Sequence, residues 1–272
     1  MNRMRKIYLI VFVMLTAACT TSKKSTTMTT PPPANLVIDG KLYTSVFQQC
    51  AAEYKALCLQ AYNIAQLRID EALKQPSVKP RAIITDIDET VLDNSPYSVN
   101  RAIVGKSYDQ TSWSDWTEHA LCDTLAGSFS FFKYVSSKNI EVYYISNRLE
   151  VERVGTLKNL QRYGFPNADN EHLFLKEKIS SKEERRQKVA ATHDIVLLLG
   201  DNLADFSAMF DNKKSMEDRT INTMKNAAEF GRKFIVLPNS NYGDWEGAIY
   251  DYNYGFTPAQ KDSAVKSNLK GY

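Results

Sequence analysis

The sequence predicts an α/β protein: a mostly parallel sheet with helices on both faces, and a small helical cap inserted after the first strand. Three observations carry this. Short apolar runs alternate with helix-patterned segments between residues 82 and 237, the order expected of parallel strands joined by helical crossovers. An irregular, aromatic-rich stretch over 91–124 interrupts that order once. Acidic and polar clusters follow directly on the apolar runs, where the ligands of such sheets sit beyond the carboxyl ends of the strands.

The chain of 272 residues has room for one domain with a small insertion. Residues 1–18 read as an export signal. The basic Arg3, Arg5 and Lys6 precede the run Ile7 to Leu15, and the small residues Thr16-Ala17-Ala18 precede Cys19. Nine apolar residues are too few for a spanning helix. Small residues before a cysteine resemble a bacterial lipobox with Cys19 as the acylated residue, although Thr16 stands where such motifs usually carry leucine. Thr20 fits the sorting pattern of Gram-negative outer-membrane lipoproteins. The expected location is therefore the bacterial cell envelope, as an outer-membrane lipoprotein, with a secreted or periplasmic protein as the alternative. Residues 19–40 then form a lipidated, flexible tether with a reach of roughly 20 Å, and 41–272 form the folded domain. Of 34 basic residues, three lie in the leader, which leaves 31 to match the 31 acidic residues. That balance argues against a nucleic-acid polymer as partner.

Along the domain, Val46, Ala51, Tyr54, Leu57, Ala61, Ile64, Leu67 and Leu73 recur at helical spacing, predicting one helix over 42–74 that Gln75-Pro76 ends. A strand follows at 82–86, and short helices over 91–124 make the cap. A helix at 125–137 leads into a strand at 140–146, and 149–163 is helical up to Gly164-Phe165-Pro166. A weak strand at 172–175 precedes a charged helix near 181–191. The strand 195–199, helices across 203–230 and the strand 234–237 complete the sheet. No repeat recurs at solenoid periods. Cys50 and Cys58 are eight residues apart in the expected helix, about 12 Å along its axis, too far for a disulfide. With Cys122, they read as buried structural thiols.

Three strand ends carry the chemistry. Asp86-Ile87-Asp88-Glu89-Thr90 follows the first strand, Ser146-Asn147-Arg148 the second, and Gly200-Asp201-Asn202-Leu203-Ala204-Asp205-Phe206 the strand 195–199. Asp-x-Asp-x-Thr/Val alone arises by chance in roughly one chain in ten of this length; a second Asp-x-x-x-Asp at another strand end makes coincidence far less common. Four carboxylates in one cleft need a counter-charge. An all-oxygen donor set suits Mg²⁺ better than zinc or copper, and such a metal also neutralises and aligns a phosphate. One aspartate then serves as nucleophile, and its neighbour two residues on protonates the leaving oxygen and activates water.

Asp86-Ile87-Asp88-Glu89-Thr90-Val91-Leu92-Asp93-Asn94-Ser95, together with Gly200-Asp201-Asn202-Leu203-Ala204-Asp205-Phe206, resembles the class C non-specific acid phosphatases. These are bacterial surface 5′-nucleotidase lipoproteins of the haloacid dehalogenase-like superfamily, with a Rossmann-like sheet. The similarity runs from about residue 40 to 256, and Leu92-Asp93-Asn94-Ser95 favours class C over class B. The resemblance implies Asp86 as nucleophile and Asp88 as general acid/base. Asp86, the backbone carbonyl of Asp88, and Asp201 would hold Mg²⁺, with Asp205 in support. Ser146 and Asn147 would bind the phosphate, and Lys182 would pair with its charge, with Lys178 and Lys176 as neighbouring alternatives. Small phosphomonoesters, including nucleoside 5′-monophosphates and nicotinamide mononucleotide, would be the substrates, their flat groups stacked by Trp113 and Tyr242, with Trp116 and Trp245 nearby.

Other signals fall away. Gly105-Lys106-Ser107 imitates the end of a P-loop, but Asn100 occupies the first glycine position and no apolar strand precedes it. Histidine phosphatases need Arg-His-Gly, and His119, His172 and His193 follow Glu or Thr; these three read as surface or structural residues. The stretch Tyr250-Asp251-Tyr252-Asn253-Tyr254 is open to core packing or a homodimer contact. The reading is a Mg²⁺-dependent phosphomonoesterase working through an aspartyl-phosphate. The alternatives are a phosphotransferase on the same site and a non-catalytic surface-binding lipoprotein.

Overall fold

The structure, a computed structural model, describes residues 35–272; the export signal, Cys19 and most of the tether lie outside the described residues. In chain order the elements are α1 (Leu36–Cys50), α2 (Ala52–Leu73), β1 (Arg81–Thr85), β2 (Leu92–Asp93), α3 (Ser95–Ile103), α4 (Gln110–His119), β3 (Asp123–Thr124), α5 (Ser128–Ser137) and β4 (Glu141–Leu149). They continue with α6 (Arg153–Tyr163), β5 (Leu173–Lys176), α7 (Glu183–Thr192), β6 (Asp194–Gly200), α8 (Met216–Lys225), β7 (Phe234–Val236), α9 (Asp244–Ile249) and α10 (Pro258–Asn268).

Five strands form a sheet in the order β5-β4-β1-β6-β7, and every pair in it is parallel. Successive residues of β1 point to opposite faces. Ile83 joins the larger core with Tyr62 and Ile69 of α2 and Phe132 of α5. Ala82 and Ile84 join the smaller core with Val189 of α7, Phe206 and Phe234. The sheet is therefore covered on both faces, and β1 is central. Antiparallel pairing of β2 with β3 gathers the two ends of the insertion that carries α3 and α4. Gly155 lets α6 approach that insertion, because a Cβ there would meet the Thr117 carbonyl oxygen at 2.3 Å.

Several sequence expectations need correcting. The single helix over 42–74 is two, because Ala51 adopts an extended conformation with φ −79° and ψ 129°. Val46 of α1 and Leu57 and Leu67 of α2 are exposed rather than core. α1 uses polar side chains instead. Lys41 Nζ donates to the Asn241 carbonyl at 2.6 Å and Thr44 Oγ1 to Asn241 Oδ1 at 2.8 Å. Asn241 Nδ2 in turn donates to Gln48 Oε1 at 2.7 Å. Cys50, at the break, is exposed, whereas Cys58 and Cys122 are buried free thiols. β4 runs on to Leu149, so Ser146, Asn147 and Arg148 lie within its last residues, where pairing with β5 slips between Ile145 and Leu149. Tyr250 is buried, which favours core packing for at least the start of the tyrosine-rich stretch.

Candidate active site

The carboxyl ends of β1, β4 and β6 supply one group of polar side chains. The Asp86 N–H still donates to the Leu199 carbonyl at 2.9 Å, so the sheet fixes its backbone. Carboxylate oxygens of Asp86, Asp201 and Asp205 lie within 4.8 Å of one another. Lys182, just ahead of α7, sends its buried ammonium between two of them, hydrogen-bonded to Asp86 and 2.6 Å from Asp205 Oδ1. Lys178 is exposed, so the structure brings Lys182 and not Lys178 to the acids.

Backbone details hold this trio. Gly200 is required because a Cβ there would lie 2.3 Å from Asp205 Oδ2. That same oxygen accepts the Asn202 N–H at 2.9 Å. Asn239 Nδ2 donates to Asp201 Oδ2 at 2.7 Å, and Asn239 Oδ1 accepts the Asn241 N–H at 2.8 Å. Through Asn241, α1 thus reaches the acids. Arg186 caps the carbonyls of Ala204 and Asp205, each at 2.9 Å.

Burial, opposed by Lys182 and reinforced by Asp205 and Asp88, pushes the Asp86 carboxyl up to about 7. Burial and the neighbouring Asp205 and Asp86 lift Asp201 well above the usual carboxylate range. Burial works against the charge of Lys182, but Asp205 and Asp86 outweigh it and the ammonium is held protonated. Fully ionised, three carboxylates and one ammonium would carry two negative charges, which one divalent cation offsets. The donor set is all oxygen, as hard cations require, and the residues present therefore fit such an ion.

Asp88 faces elsewhere. Its Oδ1 accepts from Arg148 Nη2 at 2.7 Å and Nε at 3.1 Å, and from Asn94 Nδ2 at 2.8 Å. Arg148 is buried, bonds Thr156 Oγ1 at 3.0 Å, and stands 5.8 Å from the centre of the Trp113 ring. Glu89 adopts a left-handed conformation at φ 54°. Its carboxyl accepts the Asn94 N–H at 2.7 Å and is bonded by the Tyr242 hydroxyl. Burial, with Asp88 and Asp201 adding, raises that carboxyl well above its ordinary range.

Ser146 is buried and its Oγ accepts the Arg148 N–H at 3.1 Å. Asn147 is exposed, and its Oδ1 accepts from Arg185 Nη2 at 2.7 Å. Trp113 is not the open stacking face the sequence led us to expect. Only 8% of it is exposed, and its ring meets Tyr97 edge-on at 5.0 Å. Tyr108, 6.0 Å from Trp113, is the accessible ring of that group. Trp116 is tied to Asn94 at 2.9 Å and Trp245 to the Tyr242 carbonyl at 3.1 Å.

Sequence reasoning missed Arg148, Arg185, Asn94 and Asn239. Arg148 sat in plain view within Ser146-Asn147-Arg148, and Asn94 within the Asp86–Ser95 motif. Arg185 lay in a charged helix that reads as a solvated face, and nothing marked Asn239.

A parallel sheet whose central strand ends in paired aspartates, with a second acid pair and a buried lysine beside them, defines a phosphatase fold of the haloacid dehalogenase type. Residues 12–245 match the family described as HAD superfamily, subfamily IIIB (Acid phosphatase), and the chain belongs to it. The class C acid phosphatase from Bacillus anthracis is 45% identical, with a TM-score of 0.83 over 87% of this chain and 99% of that one. A structure of that enzyme with tungstate bound gives a TM-score of 0.84 at 45% identity, over 88% of this chain and all of that one. Acid phosphatase 1 of Solanum lycopersicum is 29% identical over 82 residues. The match spans 32% of that curated relative's length.

Proposed function

We propose that this chain hydrolyses small phosphomonoesters, nucleoside 5′-monophosphates and nicotinamide mononucleotide among them, through an aspartyl-phosphate on Asp86 and with Mg²⁺ as cofactor. The observation that carries the reading is the buried Asp86–Lys182–Asp205 pairing beside Asp201, one residue from an Asp88 held by its own cation. Tungstate, bound by the Bacillus anthracis enzyme, is a tetrahedral oxyanion like phosphate, which supports a phosphoryl site at the matching strand ends.

In this mechanism an Asp86 oxygen attacks phosphorus and the bond to the leaving oxygen breaks. Asp88, in its protonated form and released from Arg148, gives that oxygen its proton. Asp88 then takes a proton from water, which attacks the acyl phosphate at phosphorus and frees both phosphate and Asp86. Lys182, Ser146 and Asn147 neutralise and orient the phosphoryl oxygens. Asp86 and Asp201, with the Asp88 carbonyl, would hold Mg²⁺, and Asp205 would support them. When bound, the ion supplies positive charge and in-line alignment to the phosphate. Tyr242 and the Trp113–Tyr108 group would border the leaving group. Acylation of Cys19 would hold the domain at a membrane, and a Cys19→Ala chain recovered in the soluble fraction would support that anchor.

The test is phosphate release from adenosine 5′-monophosphate by the full chain, with and without Mg²⁺, beside Asp86→Asn. Mg²⁺-dependent release that falls at least about 10³-fold in a folded Asp86→Asn protein supports the reading. Equal release by both proteins sinks Asp86 as nucleophile. No release from any of several phosphomonoesters sinks the activity.

A further inference from the structure

The amino ends of the strands carry a second polar group, at the opposite end of the sheet from the acids. Glu141 opens β4, while His172 and His193 directly precede β5 and β6. Along β4, the five steps from Glu141 to Ser146 span about 17 Å. His172 Nε2 lies 3.4 Å and His193 Nε2 3.1 Å from the same Glu141 Oε2.

Each ring is fixed at its other nitrogen. His172 Nδ1 is 2.8 Å from Asp169 Oδ1, a carboxylate that only accepts, so this nitrogen carries the proton. His193 Nδ1 is 2.8 Å from Thr192 Oγ1, whose own hydrogen goes to the Val189 carbonyl at 3.3 Å. With the proton held at Nδ1, a neutral ring at either position would aim its Nε2 lone pair towards Glu141. Asn167 Nδ2, 3.3 Å from His172 Nε2, donates to one of them. Lone pairs facing a carboxylate repel it unless a proton or a cation lies between. The Tyr143 ring packs on both imidazoles, at 4.8 and 5.2 Å, and its hydroxyl donates to Glu141 Oε2 at 2.9 Å. The histidines are largely buried, and the Glu141 side chain, 41% exposed, leaves a path from solvent.

We propose that Glu141, His172 and His193 form a second cation site, selective for a borderline transition ion such as Zn²⁺ over Mg²⁺. Imidazole nitrogens suit Zn²⁺, and carboxylate or hydroxyl groups behind each ring are the usual support for such ligands. Neighbouring ligand atoms in a tetrahedral zinc site lie about 3.3 Å apart, close to the two observed edges. The third edge, between the ring nitrogens, is longer, since these donors do not gather within 4.8 Å as the acid trio does. Closing that edge would require one imidazole to give up its Nδ1 contact and turn inward. The bound ion would staple β4 to the turns entering β5 and β6. This inference stands apart from the phosphatase reading.

The chain has three histidines, so imidazole ¹⁵N resonances of the full chain report the site directly. With Mg²⁺ in excess to occupy the acids, one equivalent of Zn²⁺ is expected to shift the Nε2 signals of His172 and His193 and leave His119 unmoved. Glu141→Gln is expected to weaken Zn²⁺ at least about 10-fold, while Asp86→Asn leaves the shifts intact. Rings that respond to pH but not to Zn²⁺ would overturn the proposal and leave a proton-sharing cluster. Weak shifts at all three histidines would overturn it as surface binding.

Discussion

Asp86 and Asp88 stand one residue apart at the end of one strand and meet different cations. Asp86 is buried with Lys182, a point charge that it shares with Asp205. Asp88 is held by the flat fork of Arg148, which engages both its oxygens and is itself fixed by Thr156. Lysine can neutralise two carboxylates and still leave them free to face a metal; a guanidinium fork orients one carboxylate through paired hydrogen bonds. The same residue type thus meets two different electrostatic surroundings, which the proposed mechanism uses for attack at Asp86 and proton delivery at Asp88.

Breaking the Lys182 side has the larger effect. Lys182→Met leaves Asp86 and Asp205 without a cation, and phosphate-release assays should show kcat/KM down by at least about 10²-fold. Without Mg²⁺, denaturant unfolding should show a loss of about 3–5 kcal/mol; an unchanged midpoint would refute the ammonium's structural share. Arg148→Lys keeps a charge but loses the fork. A fall in kcat of roughly 10–100-fold with KM little changed is expected, and a loss confined to KM would argue that Arg148 binds substrate instead.

A pH series sharpens the contrast. Asp86 ordinarily titrates near 3.8 and in the fold near 7, so between these values the folded protein holds a proton that the unfolded chain has lost. That contribution is complete below about pH 4 and disappears as pH rises through 7. Thermal midpoints measured in chelator should therefore fall from pH 5 to 8, and Mg²⁺ should flatten the decline; a rise over that range would contradict the assignment. The smallest effect is expected at the aromatic group. Tyr108→Ala should weaken a nucleotide about 3- to 10-fold and a small aliphatic phosphate less, as competition assays would show. Equal losses would remove the stacking role.

Much of this was legible in the sequence because the acids follow apolar runs, and a run's end locates a strand's end. Asp86, Asp88, Asp201 and Asp205 needed nothing more. Lys182 needed the fold, since two nearby lysines, Lys176 and Lys178, stood as alternatives. The break at Ala51 left no trace, because alanine favours a helix and only the polar contacts of α1 to Asn241 and Asp93 show why the chain turns there. Trp113 was visible as an aromatic but not as a buried one, since its neighbours Tyr97, Tyr108 and Arg148 are brought together by folding.

The hold of α1 on Asn241 also sets a schedule for synthesis. The partners are 193 to 200 residues apart, and Asn241 passes that hold through Asn239 to Asp201. At ribosomal rates the first helix waits roughly 10–40 s for its partner. Until then Asp201 lacks its brace from Asn239, so the acid trio of a growing chain is not yet held as in the finished fold.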